Sequence, residues 1–215
     1  MTTIELTTQQ IKKAGVIAIL RGNFTLEDML SLGNALLSGG VAVMEVTLNS
    51  PAALTSLPLL RKYFGGSMLV GAGTVRDVES ARLAIAAGAQ FLVSPNFDPD
   101  SVRYSLAMDV LHLPGVLTPT EAQAAFAAGC RMLKLFPCEA FGPAYLKALR
   151  APLDDIDFVP TGGVSLENIA AYARAGAAAV GLGSSLVTGP SQPVAESAAR
   201  AGALKLAWEA ACNGE

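Results

Sequence analysis

Charge is scarce in this chain. Lys, Arg, Asp and Glu supply only 15% of its 215 residues, against 52% hydrophobic residues, where an ordinary soluble domain carries roughly a quarter charged residues. Much of the chain must therefore be buried, and disorder is excluded. Aromatics are few as well, at 6%, so the core has to be aliphatic. The three cysteines, Cys130, Cys138 and Cys212, are scattered and odd in number, which excludes a small disulfide scaffold and fits a reducing, cytoplasmic setting. There is a single histidine, so a metal site with several His ligands is excluded and a Ser-His-Asp hydrolase is unsupported. Long apolar runs are missing too: Gly, Pro or a charge interrupts each one well short of the ~20 residues that a spanning helix needs, despite a mean hydropathy of +0.44. The first ten residues carry no basic n-region or apolar h-region of a signal peptide. With a net charge of −3 there is no basic field for nucleic acid. The expectation is a cytoplasmic protein with neither membrane nor nucleic acid as partner.

What the chain does have is alternation. Short aliphatic or β-branched runs trade places with longer Ala- and Leu-rich amphipathic stretches from end to end, the pattern of βα units around a parallel sheet. Candidate strands are Val16–Leu20, Val41–Thr47, Met68–Ala72, Phe91–Ser94, Leu111–Leu113, Met132–Phe136, Asp157–Pro160 and Ala178–Gly181. Thr25, Thr120 and Ser165 each precede acids in a first helical turn and read as N-caps. Gly40, Gly88, Gly129 and Gly176 close helices at intervals of 48, 41 and 47 residues, a period of two βα units. Eight units in 215 residues are tight for a (β/α)₈ barrel, which typically runs ~250 residues but can be as short as ~200. A doubly wound open sheet would not need eight strands. The predicted fold is α/β, one domain over residues 1–215, a (β/α)₈ TIM barrel with a short N-terminal helix.

In such a barrel reacting groups come from the C-terminal ends of the strands. Met132-Leu133-Lys134-Leu135-Phe136 places one ammonium inside an apolar run. Burial without a partner is costly and lowers a lysine pKa, which frees the amine as a nucleophile able to form a Schiff base; the bland alternative is a salt-bridged or snorkelling lysine. Lys12, Lys13, Lys62, Lys147 and Lys205 sit in helical polar patterns and read as solvated. Glu45, within Val41–Leu48, poses the same question with opposite sign: a carboxylate that moves protons beside the lysine, or its structural ion-pair partner.

Thr161-Gly162-Gly163 and Gly181-Leu182-Gly183-Ser184-Ser185 end strands seven and eight, where barrels often build a phosphate site from backbone N–H groups. Taken singly, each is also an ordinary turn. The Gly71-Ala72-Gly73-Thr74 segment lacks the full dinucleotide fingerprint. Arg21, at the end of strand one, could clamp a carboxylate or cap the barrel through backbone carbonyls. His112 reads as a packed strand residue, and Cys138 as a small loop residue.

Ile17-Ala18-Ile19-Leu20-Arg21, Glu45-Val46-Thr47-Leu48, Gly71-Ala72-Gly73-Thr74-Val75, Ser94-Pro95, Pro114-Gly115-Val116, Leu133-Lys134-Leu135-Phe136-Pro137, Pro160-Thr161-Gly162-Gly163-Val164 and Gly181-Leu182-Gly183-Ser184 occur here in that order. Through these segments, from about Ile11 to Ala207, the chain resembles the 2-keto-3-deoxy-6-phosphogluconate (KDPG) / 4-hydroxy-2-oxoglutarate aldolase family, class I Schiff-base lyases. The resemblance implies a (β/α)₈ barrel assembled as a homotrimer, with Lys134 as the Schiff-base lysine and Glu45 as the general acid/base. It implies Arg21, Thr74, Pro95 and Thr161 as substrate-binding residues, and Gly162, Gly163, Gly183 and Ser184 as the phosphate site. It implies no cofactor and no metal.

One departure is Asn49, where some members place a carboxylate-binding Arg, leaving that task to Arg21. Leu48-Asn49-Ser50-Pro51 and Ala140-Phe141-Gly142-Pro143 are similar to the sister 6-phosphogalactonate aldolases, while Pro160–Gly163 and Thr118-Pro119-Thr120-Glu121 are similar to the gluconate enzymes. The implied reaction is reversible cleavage of the phosphorylated keto-deoxy gluconate acid to pyruvate and glyceraldehyde 3-phosphate, with 4-hydroxy-2-oxoglutarate cleavage beside it and the galactonate epimer as the alternative substrate. Two readings of other kinds stand next to it: a phosphosugar isomerase or epimerase working by proton transfer alone, and a non-catalytic phosphate-metabolite binder, for which Lys134 or Glu45 would point outward.

Overall fold

The computed structural model describes residues 2–214. Helix α1 (Thr3–Ala14) leads into β1 (Val16–Leu20), and βα units follow: α2 (Leu26–Ser38), β2 (Val43–Thr47), α3 (Ala53–Phe64), β3 (Leu69–Gly73), α4 (Val78–Ala86), β4 (Phe91–Val93), α5 (Pro99–Ala107), β5 (Leu111–Leu113), β6 (Gly115–Val116), α6 (Pro119–Ala127), β7 (Met132–Leu135), α7 (Gly142–Arg150), β8 (Asp157–Pro160), α8 (Ile169–Arg174), β9 (Val180–Leu182) and α9 (Val194–Cys212). Among the described residues no helix is long and apolar enough to cross a membrane.

All pairings are parallel. β5-β4-β3-β2-β1-β9 form one run and β6-β7-β8 another. A bridge between Thr161 and Gly181 joins β8 to β9. At the other seam, β5 and β6 are one barrel strand interrupted at Pro114, a residue with no N–H to offer a ladder; its carbonyl still accepts from Lys134 N at 3.0 Å. The eight predicted strands thus close into a TIM-barrel-like sheet, with the fifth continued by Gly115–Val116.

Strand residues alternate between two apolar environments, as the period of two requires. One set, Ile17, Val43, Leu69, Phe91, Leu111, Met132, Val159 and Ala179 among it, fills the barrel interior. The other, including Ala18, Met44, Val70, Leu92, Leu133 and Phe158, packs beneath the helices. That two-sided burial is why the strands read as continuous apolar runs. The N-terminal helix covers the lower end: Ile11 is fully buried in the interior cluster, with Ile4 and Ala14 packed against it. Its start is tied down by Asp109, whose carboxylate accepts from Thr3 N at 2.8 Å.

Several local expectations are met and several are corrected. Thr25 caps α2 in a reciprocal box with Asp28, worth about 1 kcal/mol. Gly40, Gly88, Gly129 and Gly176 all have positive φ, as helix-closing glycines require. Thr120 is not a cap. The box is formed upstream of it by Thr118 with Glu121, because Pro119 takes the first helical position and fixes the start there. Ser165 likewise does not cap a helix: Asn168 Oδ1 accepts from Ser165 N at 2.9 Å, holding a separate turn, and α8 begins only at Ile169. Lys205 is not solvated, since its Nζ donates to the Ala14 carbonyl at 2.6 Å and closes the C-terminus of α1.

Candidate active site

The same alternation that fills the barrel also aims the candidate residues. Glu45 lies two residues beyond inward-facing Val43, Lys134 two beyond Met132, Thr161 two beyond Val159, and Gly181 two beyond Ala179. Aliphatic packing occupies the lower interior, and the next layer of inward positions is left for chemistry. There a cavity of about 580 Å³ opens at the C-terminal ends of the strands. Arg21, Glu45, Thr74, Pro95, Lys134, Thr161, Gly162, Gly163, Gly183 and Ser184 all line it, so every residue expected at the site is brought together.

Lys134 is 8% exposed and Glu45 2%. Neither belongs to any ion pair within 4.0 Å among the described residues, so they do not form the structural salt bridge that would have explained both away. Nor does either point outward. Lys134 Nζ sits 4.6 Å from the centroid of the Phe136 ring, close enough for a cation–π contact. Burial holds the Lys134 ammonium below the ordinary lysine range; the Glu45 charge opposes that shift and the Arg21 charge adds to it. Burial raises the Glu45 carboxyl, against the pull of Lys134 and Arg21. Desolvation dominates at both groups and drives each toward its neutral form. A neutral amine beside a carboxyl able to take or give a proton is the pairing that imine chemistry needs.

The room for Glu45 comes from β3. Gly73 pairs with Thr47 and Gly71 with Glu45 in the β2–β3 register, and a Cβ built at Gly73 would collide with the Glu45 carboxylate. Arg21 is exposed at the rim, and among the described residues its guanidinium makes no hydrogen bond to a backbone carbonyl. Of its two readings, the barrel-capping one is not what the geometry contains. The segment after Arg21 is held by a buried hydroxyl pair: Thr47 Oγ1 and Ser50 Oγ lie 3.1 Å apart, and Ser50 Oγ accepts from Gly22 N at 3.1 Å.

Beyond β8, Gly162 and Gly163 follow one another at φ 86° and 74°. Asn168 Nδ2 donates to the Gly163 carbonyl at 2.8 Å, and the Gly183 carbonyl accepts from Leu186 N and Val187 N at 2.9 and 2.8 Å. These bonds fix the two turns, and Ser184 lines the cavity next to Gly183. Among the described residues, the backbone N–H groups of Gly163 and Ser184 have no protein acceptor. Donors left unsatisfied at a cavity wall suit an anion.

Phe136 lines the cavity without a role in the sequence reading, although the period of two running from Lys134 points to it. Ile19, Thr47 and Asn49 also line the cavity. His112 and Cys138 do not: His112 is 1% exposed, and the buried Cys138 donates from Sγ to the Leu135 carbonyl at 3.0 Å.

Comparison with known proteins converges on one family. The model for KDPG and KHG aldolases matches residues 7–198. The chain is 39% identical over 200 residues to the 2-dehydro-3-deoxy-6-phosphogalactonate aldolase of Escherichia coli (strain K12), covering 93% of this chain and 97% of that one. It is also 39% identical over 173 residues to the 2-dehydro-3-deoxy-phosphogluconate aldolase of Treponema pallidum (strain Nichols), covering 80% of each. The solved native KDPGal structure aligns with a TM-score of 0.87 at 38% identity, covering 92% of this chain and 96% of that one. Barrel, cavity and relatives together place the chain in the KDPG and KHG aldolase family, class I carbon–carbon lyases whose substrates are phosphorylated keto-deoxy sugar acids and pyruvate.

Proposed function

We propose that Lys134 forms the Schiff base and Glu45 moves the protons in the retro-aldol cleavage of a 6-phosphorylated 2-keto-3-deoxyhexonate. The observation that carries this reading is the isolation of one lysine and one glutamate, both buried and unpaired, in a single cavity of the barrel mouth. Keeping either group charged away from water would cost several kcal/mol, and no direct contact between them offsets that cost, so burial favours the neutral form of both.

The neutral Lys134 amine attacks the C2 ketone to give a carbinolamine; protonated Glu45 gives its proton to the departing hydroxyl, so that water leaves a protonated imine and Glu45 becomes the carboxylate. The C4 hydroxyl gives its proton to Glu45, the C3–C4 bond breaks, and its electron pair flows into the iminium as an enamine while glyceraldehyde 3-phosphate departs. Glu45 returns the proton to C3, and water then adds to the imine to release pyruvate and the neutral Lys134 amine, the surplus proton going back to Glu45. Arg21 and Thr74 hold the pyruvate carboxylate, with Pro95 and Thr161 shaping the wall beside it. The Ser184 hydroxyl and the N–H groups of Gly163 and Ser184 receive the phosphate, with Gly162 and Gly183 shaping the two turns. Asn49 carries no charge, which leaves Arg21 as the guanidinium of the site.

Two C4 epimers share this chemistry. The relative named for the galactonate acid covers 93% of this chain, the one named for the gluconate acid 80%, and the Leu48–Pro51 and Ala140–Pro143 segments lean the same way. These favour the galactonate epimer. The Pro160–Gly163 and Thr118–Glu121 segments support gluconate as the second reading. The assembly proposed is a homotrimer, on family resemblance alone.

Incubation with pyruvate and borohydride followed by peptide mass spectrometry tests the chemistry. The expected result is a reduced pyruvyl adduct on Lys134, and an unmodified Lys134 under conditions that trap a control aldolase overturns it. Retro-aldol rates on the two epimers decide the substrate.

A further inference from the structure

The mechanism leaves one buried titratable group unused, and it lies behind the strained corner of the site. Thr74 has φ 59°, a left-handed conformation that a β-branched residue seldom adopts and that costs about 1–3 kcal/mol. Something must hold it there. The next residue, Val75, is fixed at both ends of its peptide groups to strand β4: its N–H donates to the Val93 carbonyl at 3.1 Å, and its carbonyl accepts from Ser94 Oγ. Behind Ser94 stands His112, with Nε2 at 2.6 Å from Ser94 Oγ and Nδ1 at 2.9 Å from Ser105 Oγ. Ser94 and His112 are each 1% exposed, and Ser105 is fully buried.

Proton counting fixes the direction of this chain. A serine hydroxyl has one hydrogen, and a neutral imidazole has one N–H and one acceptor nitrogen. If Nδ1 carried the hydrogen, Nε2 would need the hydrogen of Ser94 and the Val75 carbonyl would lose its donor. With the hydrogen on Nε2, Ser105 Oγ turns its hydrogen to Nδ1 and away from the Ser101 and Val102 carbonyls at 2.9 and 3.0 Å, which keep their backbone N–H donors in α5. Nε2 then donates to Ser94 Oγ, and Ser94 Oγ donates to the Val75 carbonyl, which has no other donor among the described residues. Burial pushes the imidazole pKa down to about 4, which keeps it neutral at physiological pH.

We propose that His112 and Ser94 are positioning residues: the imidazole orients the Ser94 hydroxyl toward the Val75 carbonyl, and that bond holds Thr74 in the left-handed conformation that turns its side chain into the cavity. The proposal rests on the assignment of Thr74 to the pyruvate end. His112 touches no reacting atom; its effect on turnover passes through Ser94, Val75 and Thr74.

A double-mutant cycle on retro-aldol turnover tests this. His112→Leu and Ser94→Ala should each lower kcat about tenfold, the rate equivalent of one lost hydrogen bond at the site. In a Thr74→Ala background the same substitutions should each cost less than about twofold, because the side chain they position is gone. His112→Gln, whose amide nitrogen can donate to Ser94 as Nε2 does, should recover turnover to within about threefold of wild type. Equal losses in the wild-type and Thr74→Ala backgrounds overturn the proposal, as does a His112→Gln variant as slow as His112→Leu. Should His112→Leu fail to fold, Ser94→Ala carries the cycle alone. Pyruvate trapping at Lys134 in the wild-type protein is scored separately, so failure of the Schiff-base assignment and failure of the positioning role give different results.

Discussion

The carboxylate of Glu45 occupies the space that a side chain in place of Gly73 would need. Gly73→Ala therefore tests the placement of Glu45 without changing any ionisable group. The added methyl should displace the carboxylate from the cavity and lower kcat/KM about a hundredfold, the scale of losing a positioned general base. Overpacking should cost about 1–3 kcal/mol of stability, to be read by denaturant unfolding. Near-normal turnover in a folded Gly73→Ala protein would show that proton transfer does not depend on Glu45 at that place.

Glu45→Gln separates the same residue's chemistry from its cost. The folded pKa of Glu45 lies above 4.5, so between 4.5 and the folded value the native state holds a proton that the unfolded chain has released. Stability contributed by this group therefore falls as pH rises through that window. Gln carries no such penalty. Unfolding curves at pH 4.5 and pH 7.5 should show the variant gaining on wild type at the higher pH, while turnover falls about a hundredfold. A wild-type protein that instead gains stability relative to the variant with rising pH would mean that its carboxylate is held as a favourable ion.

Ser184→Ala addresses the phosphate end alone. It should raise KM for the phosphorylated acid by about tenfold, one charge-assisted hydrogen bond's worth, while the rate of pyruvate trapping at Lys134 stays unchanged. If KM is unaffected, or if pyruvate trapping slows in step, the phosphate does not lie against the turn at Gly183.

The barrel was legible because short apolar runs trade places with amphipathic stretches from end to end and helix-closing glycines recur at a steady interval. Lys134 and Glu45 stood out for a related reason: charges are so few that two of them inside apolar strands need an explanation. Less legible was where helices begin. Thr118 and Thr120 both precede Glu121 at short range, and only the fixed φ of Pro119 decides between them. Asn168 competes with Ser165 for the turn before α8 through a local side-chain bond that composition does not reveal. His112 reads as packed, and it is. That its two nitrogens face serines from different elements, Ser94 after β4 and Ser105 on α5, depends on a tertiary juxtaposition that no local pattern encodes.

Helix α1, with Ile11 driven into the lower interior, leaves the barrel open at one end. Both halves of a cleaved substrate must use that same doorway. On the proposed chemistry, the half that carries the phosphate lies toward the rim turns, while the pyruvate half stays tethered deeper, on Lys134. Traffic is then ordered by depth: the aldehyde leaves first and pyruvate last, and in the synthetic direction pyruvate must load before the aldehyde can follow. Product-inhibition patterns carry that signature, with pyruvate competing against the cleavable substrate and the aldehyde inhibiting noncompetitively.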